Sequence, residues 1–346
     1  MFLPTIVFVV AFFVTMFALM YVHSGGGEIR VPFVARPAVW SRKTPVRKDG
    51  SIFVSIASYR DAECSKTISS LFRNASRPDL VFVGTCQQNS KDDKIDCCDN
   101  LDERRDQIRI MRVDSEQARG PTYARYLCSL LWSGEQYFCQ VDSHITFFKG
   151  WDDSCRTDMS KVPDKSILTH YPPSLGEQNV DGDVPEMNNF HDDGIMVTPR
   201  AESFHPPGDP VSQKFMAAGF FIAPSELLFD VPFDPNLPHL FAGEELLYSA
   251  RCYCAGYDVF SPGRNIGQHF YERKEAPKFW NDIAQGRRQA GERVSLDKVR
   301  RLFQLKTTTE PHDIERYNDT FGFASERTLD QYWEFTGLTD VMNGKK

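Results

Sequence analysis

Charge is missing from the first stretch of this chain: Met1–Val22 holds no Asp, Glu, Lys or Arg. At ~1.5 Å per helical residue the stretch reaches roughly 30 Å, the thickness of a bilayer core, and it outruns the apolar segment of an ordinary cleaved leader. It reads as an uncleaved signal anchor, with Val22-His23-Ser24 as the alternative cleavage point. Also missing are G-x-S-x-G, a Walker loop, H-E-x-x-H and G-x-G-x-x-G, so four common catalytic or nucleotide-binding signatures are excluded. No zinc-type Cys-x-x-Cys pair, internal repeat or long low-complexity tract occurs. An excess of basic charge is lacking too: the net charge of -7 argues against a nucleic-acid partner.

What is present suits a sizeable globular core, with 41% hydrophobic and 13% aromatic residues. His23–Gly50 is Gly-, Pro- and Arg-rich and reads as a stem or linker. Its basic residues (Arg30, Arg36, Arg42, Lys43, Arg47, Lys48) would by the positive-inside rule face the cytosol, whereas a Golgi-type enzyme places this flank in the lumen. The sequons Asn74-Ala-Ser76 and Asn318-Asp-Thr320 fit the lumenal, type II orientation, which is the expectation adopted, with the cytosol-facing one as its alternative. Nine cysteines leave at least one unpaired in a monomer, and Cys97-Cys98 and Cys252-Tyr-Cys254 suggest bridges.

Apolar runs at 51–57, 80–84, 108–111, 137–141, 215–223 and 257–260 predict buried strands. Helical spacing predicts helices over 63–74, with Asp61 as N-cap, over 120–132, opened by Pro121, and over 244–255. The strand–helix alternation of the first half implies a parallel, doubly wound sheet. Residues 149–209 are rich in Pro, Gly, Asp and Asn and read as long surface loops, and the chain after Lys278 reads as helical and charged. The expected division is an anchor over 1–22, a linker over 23–50, a catalytic domain over 51–275 and a helical extension of it over 276–346.

The pivotal stretch is Tyr137–Phe148, in which a buried strand ends abruptly in Asp142-Ser143-His144. Ligands of open α/β sheets sit outside the carboxyl ends of the strands. Asp142 and His144 are two apart, so an extended segment turns both side chains the same way, and an oxygen and a nitrogen ligand can share one divalent cation. An ordinary strand end with an Asx turn is the plain alternative. His269, between glycine and aromatic residues, is a candidate third ligand or a structural histidine. Arg119 and Arg125 flank the start of a helix and are candidate phosphate contacts. Glu244 and Glu245 lie at a helix N-terminus, where capping alone explains carboxylates. Transfer from a nucleotide diphosphate sugar needs this combination: a cation for the leaving diphosphate, basic clamps and polar groups for the sugar.

Ordered motifs make the reading specific. Ser55-Ile-Ala-Ser-Tyr-Arg-Asp61, Ala118-Arg-Gly-Pro-Thr-Tyr-Ala-Arg125, Gln140-Val-Asp-Ser-His144, Phe241-Ala-Gly-Glu-Glu245, Gly256-Tyr-Asp258 and His269-Phe-Tyr-Glu-Arg273 stand in one order. In that order and spacing the chain resembles the polypeptide α-N-acetylglucosaminyltransferases, which modify hydroxyproline or start mucin-type glycans in protists. A more distant resemblance is to the polypeptide N-acetylgalactosaminyltransferases. There the chain departs at Ala242-Gly-Glu-Glu245, at Gln268 between Gly267 and His269, and in having no lectin-like repeat.

The resemblance implies a GT-A fold, a Rossmann-like mixed sheet flanked by helices. It further implies Mn²⁺ or another divalent cation, a UDP-GlcNAc donor and retaining transfer of α-GlcNAc to a Thr, Ser or hydroxyproline hydroxyl of a polypeptide. By the same resemblance Asp142, His144 and His269 hold the metal, and Ser58, Tyr59 and Arg60 lie near the uridine. Arg119 or Arg125 faces the diphosphate, and Glu244 and Glu245 stand with Asp142 at the sugar. Alternatives are a UDP-GalNAc-using transferase, a membrane-tethered relative that binds UDP-sugar and metal without turnover, and a metal-dependent hydrolase using Asp142, His144 and His191.

Overall fold

The computed structural model describes residues 40–176, 180–194, 196–307 and 318–345. The expected anchor and residues 23–39 of the expected linker lie outside the described residues. Among the described residues no helix is long and apolar enough to cross a membrane. The end of the linker packs on the domain: Trp40 Nε1 donates to the Ser129 carbonyl at 2.9 Å and its ring meets Trp132 edge-on at 5.1 Å.

The strands are β1 (Ile52–Tyr59), β2 (Val81–Asn89), β3 (Ile108–Asp114), β4 (Tyr137–Asp142), β5 (Ile145–Phe147), β6 (Ser166–Thr169), β7 (Val184–Glu186), β8 (Asn189–Asp192), β9 (Val197–Arg200), β10 (Ser203–His205), β11 (Val211–Ser212), β12 (Phe220–Pro224), β13 (Asp258–Ser261) and β14 (Gly267–His269). Eight of them form the central sheet in the order β11-β13-β6-β12-β4-β1-β2-β3. β4, β1, β2 and β3 run parallel, as the alternation predicts, but β12 pairs antiparallel with both β4 and β6, so the sheet is mixed.

Alternation of side chains along β1 divides the core. Ile52, Val54 and Ile56 pack on one face with α1 (Cys64–Asn74), and Phe53 packs on the other with α2 (Pro121–Ser129). Each such buried side chain contributes about 1.5–3 kcal/mol. Further helices are α3 (Trp151–Met159), α4 (Leu227–Asp230), α5 (Glu244–Cys254), α6 (Phe279–Asp282), α7 (Gln285–Leu302), α8 (Asn318–Phe321), α9 (Leu329–Thr336) and α10 (Thr339–Asn343).

Several expectations need correction. The loop expected over 149–209 contains α3 and the core strand β6; four residues, Ser166-Ile-Leu-Thr169, are too short to show a period. The strand expected over 215–223 begins only at Phe220, because Ala217 and Ala218 turn aside to meet Thr169 and Glu245. Asp61 is not the cap of α1: Glu63 holds that position, with no side-chain cap. Of the cysteines expected in bridges, Cys97 is bridged to Cys64, whereas Cys98, Cys252 and Cys254 are free thiols. Asn74, half-buried, donates through Nδ2 to Ser70 Oγ at 3.3 Å and to the Phe147 carbonyl at 3.0 Å, so its amide is already engaged. The Asn318 side chain lies outside the described residues.

One core group makes stability depend on pH. His170, just past β6, is fully buried against Phe220, and neither ring nitrogen has a hydrogen-bond partner. Burial, helped by His205, depresses its pKa from 6.5 to about 3. Between those values the unfolded chain binds a proton that the native chain does not, so stability is lost as pH falls from 6.5 toward 3. His170→Leu is expected to flatten this dependence in chemical denaturation compared at about pH 7 and about pH 4.5. An unchanged difference between the two pH values would refute the assignment.

Candidate metal centre

β1 and β4 end side by side, with Ala57 opposite Asp142. The chain turns at Ser143-His144 and leaves the sheet as β5, which pairs antiparallel with β14 so that His269 lies opposite Ile145. The Phe270 N–H donates to the His144 carbonyl at 3.0 Å and closes this ribbon. Gly267 permits the pairing: a Cβ there would stand 2.6 Å from the Thr146 carbonyl oxygen. Ligand atoms of Asp142, His144 and His269 consequently lie within 4.8 Å of one another, the one group of this kind among the described residues.

The two imidazoles meet edge-on at 4.5 Å, and His269 Nε2 lies 3.1 Å from Asp142 Oδ2. His144 Nδ1 lies 2.9 Å from Asp61 Oδ2, which also accepts from Ser143 Oγ at 2.6 Å and Arg273 Nη1 at 2.9 Å. A carboxylate on Nδ1 fixes the ring and leaves Nε2 for a cation. Burial alone would raise the Asp142 carboxyl, but His269, His144 and Arg125 hold it well below the usual carboxylate range. Burial also lowers His269. A charged carboxylate and a neutral imidazole are the states that bind a metal. One oxygen and two nitrogen donors suit Mn²⁺ among other divalent ions, so the residues fit the expected cation.

Arg125 is not free for a diphosphate. Its Nη1 donates to Glu244 Oε1, and its Nη2 to Asp142 Oδ1 at 3.4 Å and to the Ala218 carbonyl at 3.4 Å. Only 7% of its side chain is exposed. The helix that carries it thereby delivers a cation beneath two carboxylates. Burial raises the Glu244 carboxyl, and Arg125 opposes that rise only in part. Glu245 accepts from the Tyr171 hydroxyl at 2.5 Å and the Ala218 N–H at 2.7 Å, and burial pushes its pKa up to about 7. Neither carboxylate is merely a helix cap.

The residues expected near the nucleotide fall elsewhere. Tyr59 Oη donates to Asp282 Oδ2 at 3.1 Å, and Arg60 bridges Asp282 at 3.0 Å and both oxygens of Asp93 at 2.9 Å. Arg60 adopts a left-handed φ of 47°, a conformation disfavoured for its type. Ser58 is buried with its Oγ unpartnered. Arg119 stacks on Tyr123 at 4.8 Å and, among the described residues, has no hydrogen bond or ion pair to the Asp142 group. His191 is exposed on strand β8, outside the candidate metal group. The sequence assigns Asp61 no place in this group, although a lone carboxylate at the end of so apolar a strand is a signal for one.

This architecture defines a class: a mixed α/β sheet with a candidate cation site where β1 and β4 end, the fold of glycosyltransferases of the GT-A type. A profile of the family described as "Glycosyltransferase (GlcNAc)" matches residues 51–103 and 98–342, and the chain belongs to that family. No curated protein sequence matches it. Among solved structures it is similar to GalNAc-T7 with UDP, GalNAc and Mn²⁺, at 14% identity and TM-score 0.56, over 85% of this chain and 58% of that one. The chain thus spans less than two thirds of GalNAc-T7. It is also similar to S. aureus TarS 1-349, at 14% identity and TM-score 0.45 over 85% of this chain and 87% of that one. For the same protein in complex with UDP-GlcNAc the values are 12%, 0.45, 86% and 82%.

Removing the carboxylate that orients a metal-binding histidine typically weakens the site by about 10–100-fold. Asp61→Asn is therefore expected to weaken Mn²⁺ binding by that factor, read by calorimetric titration. Unchanged Mn²⁺ affinity in a folded variant would show that Asp61 only ties the turn together.

Proposed function

We propose that the chain is a retaining transferase that moves GlcNAc from UDP-GlcNAc to a hydroxyl of a polypeptide. The observation that carries this reading is the Asp142–His144–His269 cluster at the sheet edge of a chain of the GlcNAc glycosyltransferase family. A divalent cation held there supplies Lewis-acid stabilisation of the leaving diphosphate. Asp61 orients His144, and Arg125 fixes the positions of Asp142 and Glu244. Glu244 and Glu245 are both committed to partners, which favours a front-face transfer over attack by a protein carboxylate.

An apolar cavity lined by Met216, Leu237, Leu240 and Leu247 adjoins Glu244 and Glu245. Gln140 lines it too, buried, with an unpartnered Oε1. An acetamido group suits such a wall, its methyl against the leucines and its N–H toward Gln140. The fold of GalNAc-T7 is shared, so a UDP-GalNAc donor is the second reading. The bridge between Cys64 and Cys97 favours an oxidising compartment, and with it a lumenal, Golgi-membrane placement through the N-terminal segment.

The test is a donor screen with Mn²⁺ against a mixed peptide panel, read by mass spectrometry. A mass increment of one N-acetylhexosamine from UDP-GlcNAc is expected, lost in Asp142→Ala and His144→Ala. In His269→Ala the Mn²⁺ needed for half-maximal transfer should rise at least about tenfold, as for loss of a ligand. Transfer that persists in all three variants at ordinary Mn²⁺ would defeat the reading.

A further inference from the structure

We infer that Arg119, His239, Arg287 and Arg288 form a binding site for a phosphate-class anion, separate from the metal cluster. The four groups come from three segments. Arg119 precedes α2, His239 lies in the loop before α5, and both Arg287 and Arg288 are in the first turn of α7. The loop is locked against both helices. The His239 N–H donates to the Arg119 carbonyl at 2.6 Å, and the His239 ring lies so close to Gly291 of α7 that a Cβ there would stand 2.5 Å from its Cδ2. Arg287 Nη1 reaches back to the Glu116 carbonyl at 2.8 Å, and Arg288 Nη1 holds the Trp280 carbonyl at 2.9 Å.

Unspent donors collect here. Arg119 Nη1, Arg287 Nε, Arg288 Nε and both ring nitrogens of His239 are buried without a hydrogen-bond partner. His239 is only 2% exposed. Among the described residues none of the three arginines forms an ion pair. Both helix starts add positive potential: neither α2 nor α7 has an acidic residue in its first turn or a side-chain cap. Two arginines in the first turn of a helix oppose its dipole, and three guanidinium groups without an acid repel one another. An anion resolves all of these at once, with charge-assisted bonds to planar forks that match phosphate geometry. His239 is held neutral, its pKa lowered to about 4 by burial and by Arg287, Arg119 and Arg288, so it offers one N–H as a donor.

Two sources present this chemistry: the diphosphate of the nucleotide donor, or a phosphate on another ligand. Position relates the site to the nucleotide edge, since Phe279 stacks on His239 at 6.2 Å and meets Tyr59, at the end of β1, at 6.4 Å. Assignment to the donor rests on the proposed transferase reading; the anion site does not.

The probe is inorganic pyrophosphate, titrated into the full chain in EDTA so that no cation bridges it to Asp142. Saturable binding and a rise in melting temperature are expected. The double variant Arg287→Ala/Arg288→Ala should bind at least about tenfold more weakly. Its ligand-free melting temperature should be unchanged or higher, because like charges have been removed. Arg119→Met, on another segment, should give the same loss and keeps the test independent of α7. Asp142→Ala should bind pyrophosphate as the unaltered chain does. If UDP competes, the anion is the donor's diphosphate; if both bind together, it belongs to a separate phosphate-bearing ligand. Absence of binding to the unaltered chain, or equal affinity in all the arginine variants, overturns the inference. No GlcNAc transfer by the unaltered chain, with its pyrophosphate binding intact, would refute the proposed function and leave this site standing.

Discussion

The antiparallel pairing of β5 with β14 is the constraint on which the site depends. It is short, and it lies outside the central sheet, yet its register sets His269 across from Ile145 and beside His144. The ribbon is pinned at both ends. Gly267 removes the side chain that would hold the strands apart, and His269 accepts a second tether, its N–H donating to the Pro173 carbonyl at 2.8 Å. A shift of one residue would turn His269 to the opposite face. The sheet supplies Asp142; the ribbon alone makes a cluster of it.

Electrostatics around that ribbon form two linked pairings. Asp61 is shared by His144, Ser143 and Arg273, which ties the end of β1 to the turn after β4 and to the segment beyond β14. Arg125 is shared by Asp142 and Glu244, which ties α2 to β4 and to the start of α5. Buried charges of this kind contribute little net stability, because desolvation offsets the attraction, but removing one partner is destabilising. Their value is geometric: Asp61 holds His144, and Arg125 holds Asp142.

Much of this was legible in the sequence. The apolar run 137–141 ending in Asp142-Ser143-His144 marks both the strand and its chemistry, and the early strands follow from plain β-rich runs. His269 was foreseeable only as a candidate, because no periodic signal pairs β14 with β5; three-residue strands are fixed by tertiary contact. The same holds for β6, hidden in a polar loop-like stretch, and for Arg125, whose partners Asp142 and Glu244 are distant along the chain. Local pattern makes Asp61 a helix cap. Its Oδ1 does accept from the nearby Glu63 N–H, but the Oδ2 partners His144 and Arg273 come from far downstream, where local pattern does not name them.

The Asp142–His144–His269 cluster also has a consequence in time. His269 Nε2 and Asp142 Oδ2 are separated by 127 positions, whereas the pairings Ile52–Val81, Val83–Ile108 and Ile52–Tyr137 of the amino-terminal half-sheet all close before β5 begins. During synthesis the amino-terminal half-sheet can pair as soon as β4 emerges, well before the ribbon's second strand exists. At ~5–20 residues per second the interval to His269 is roughly 6–25 seconds. Through that interval the nascent chain carries Asp142 and His144 without their third partner, so a product that ends before β14 lacks the complete cluster.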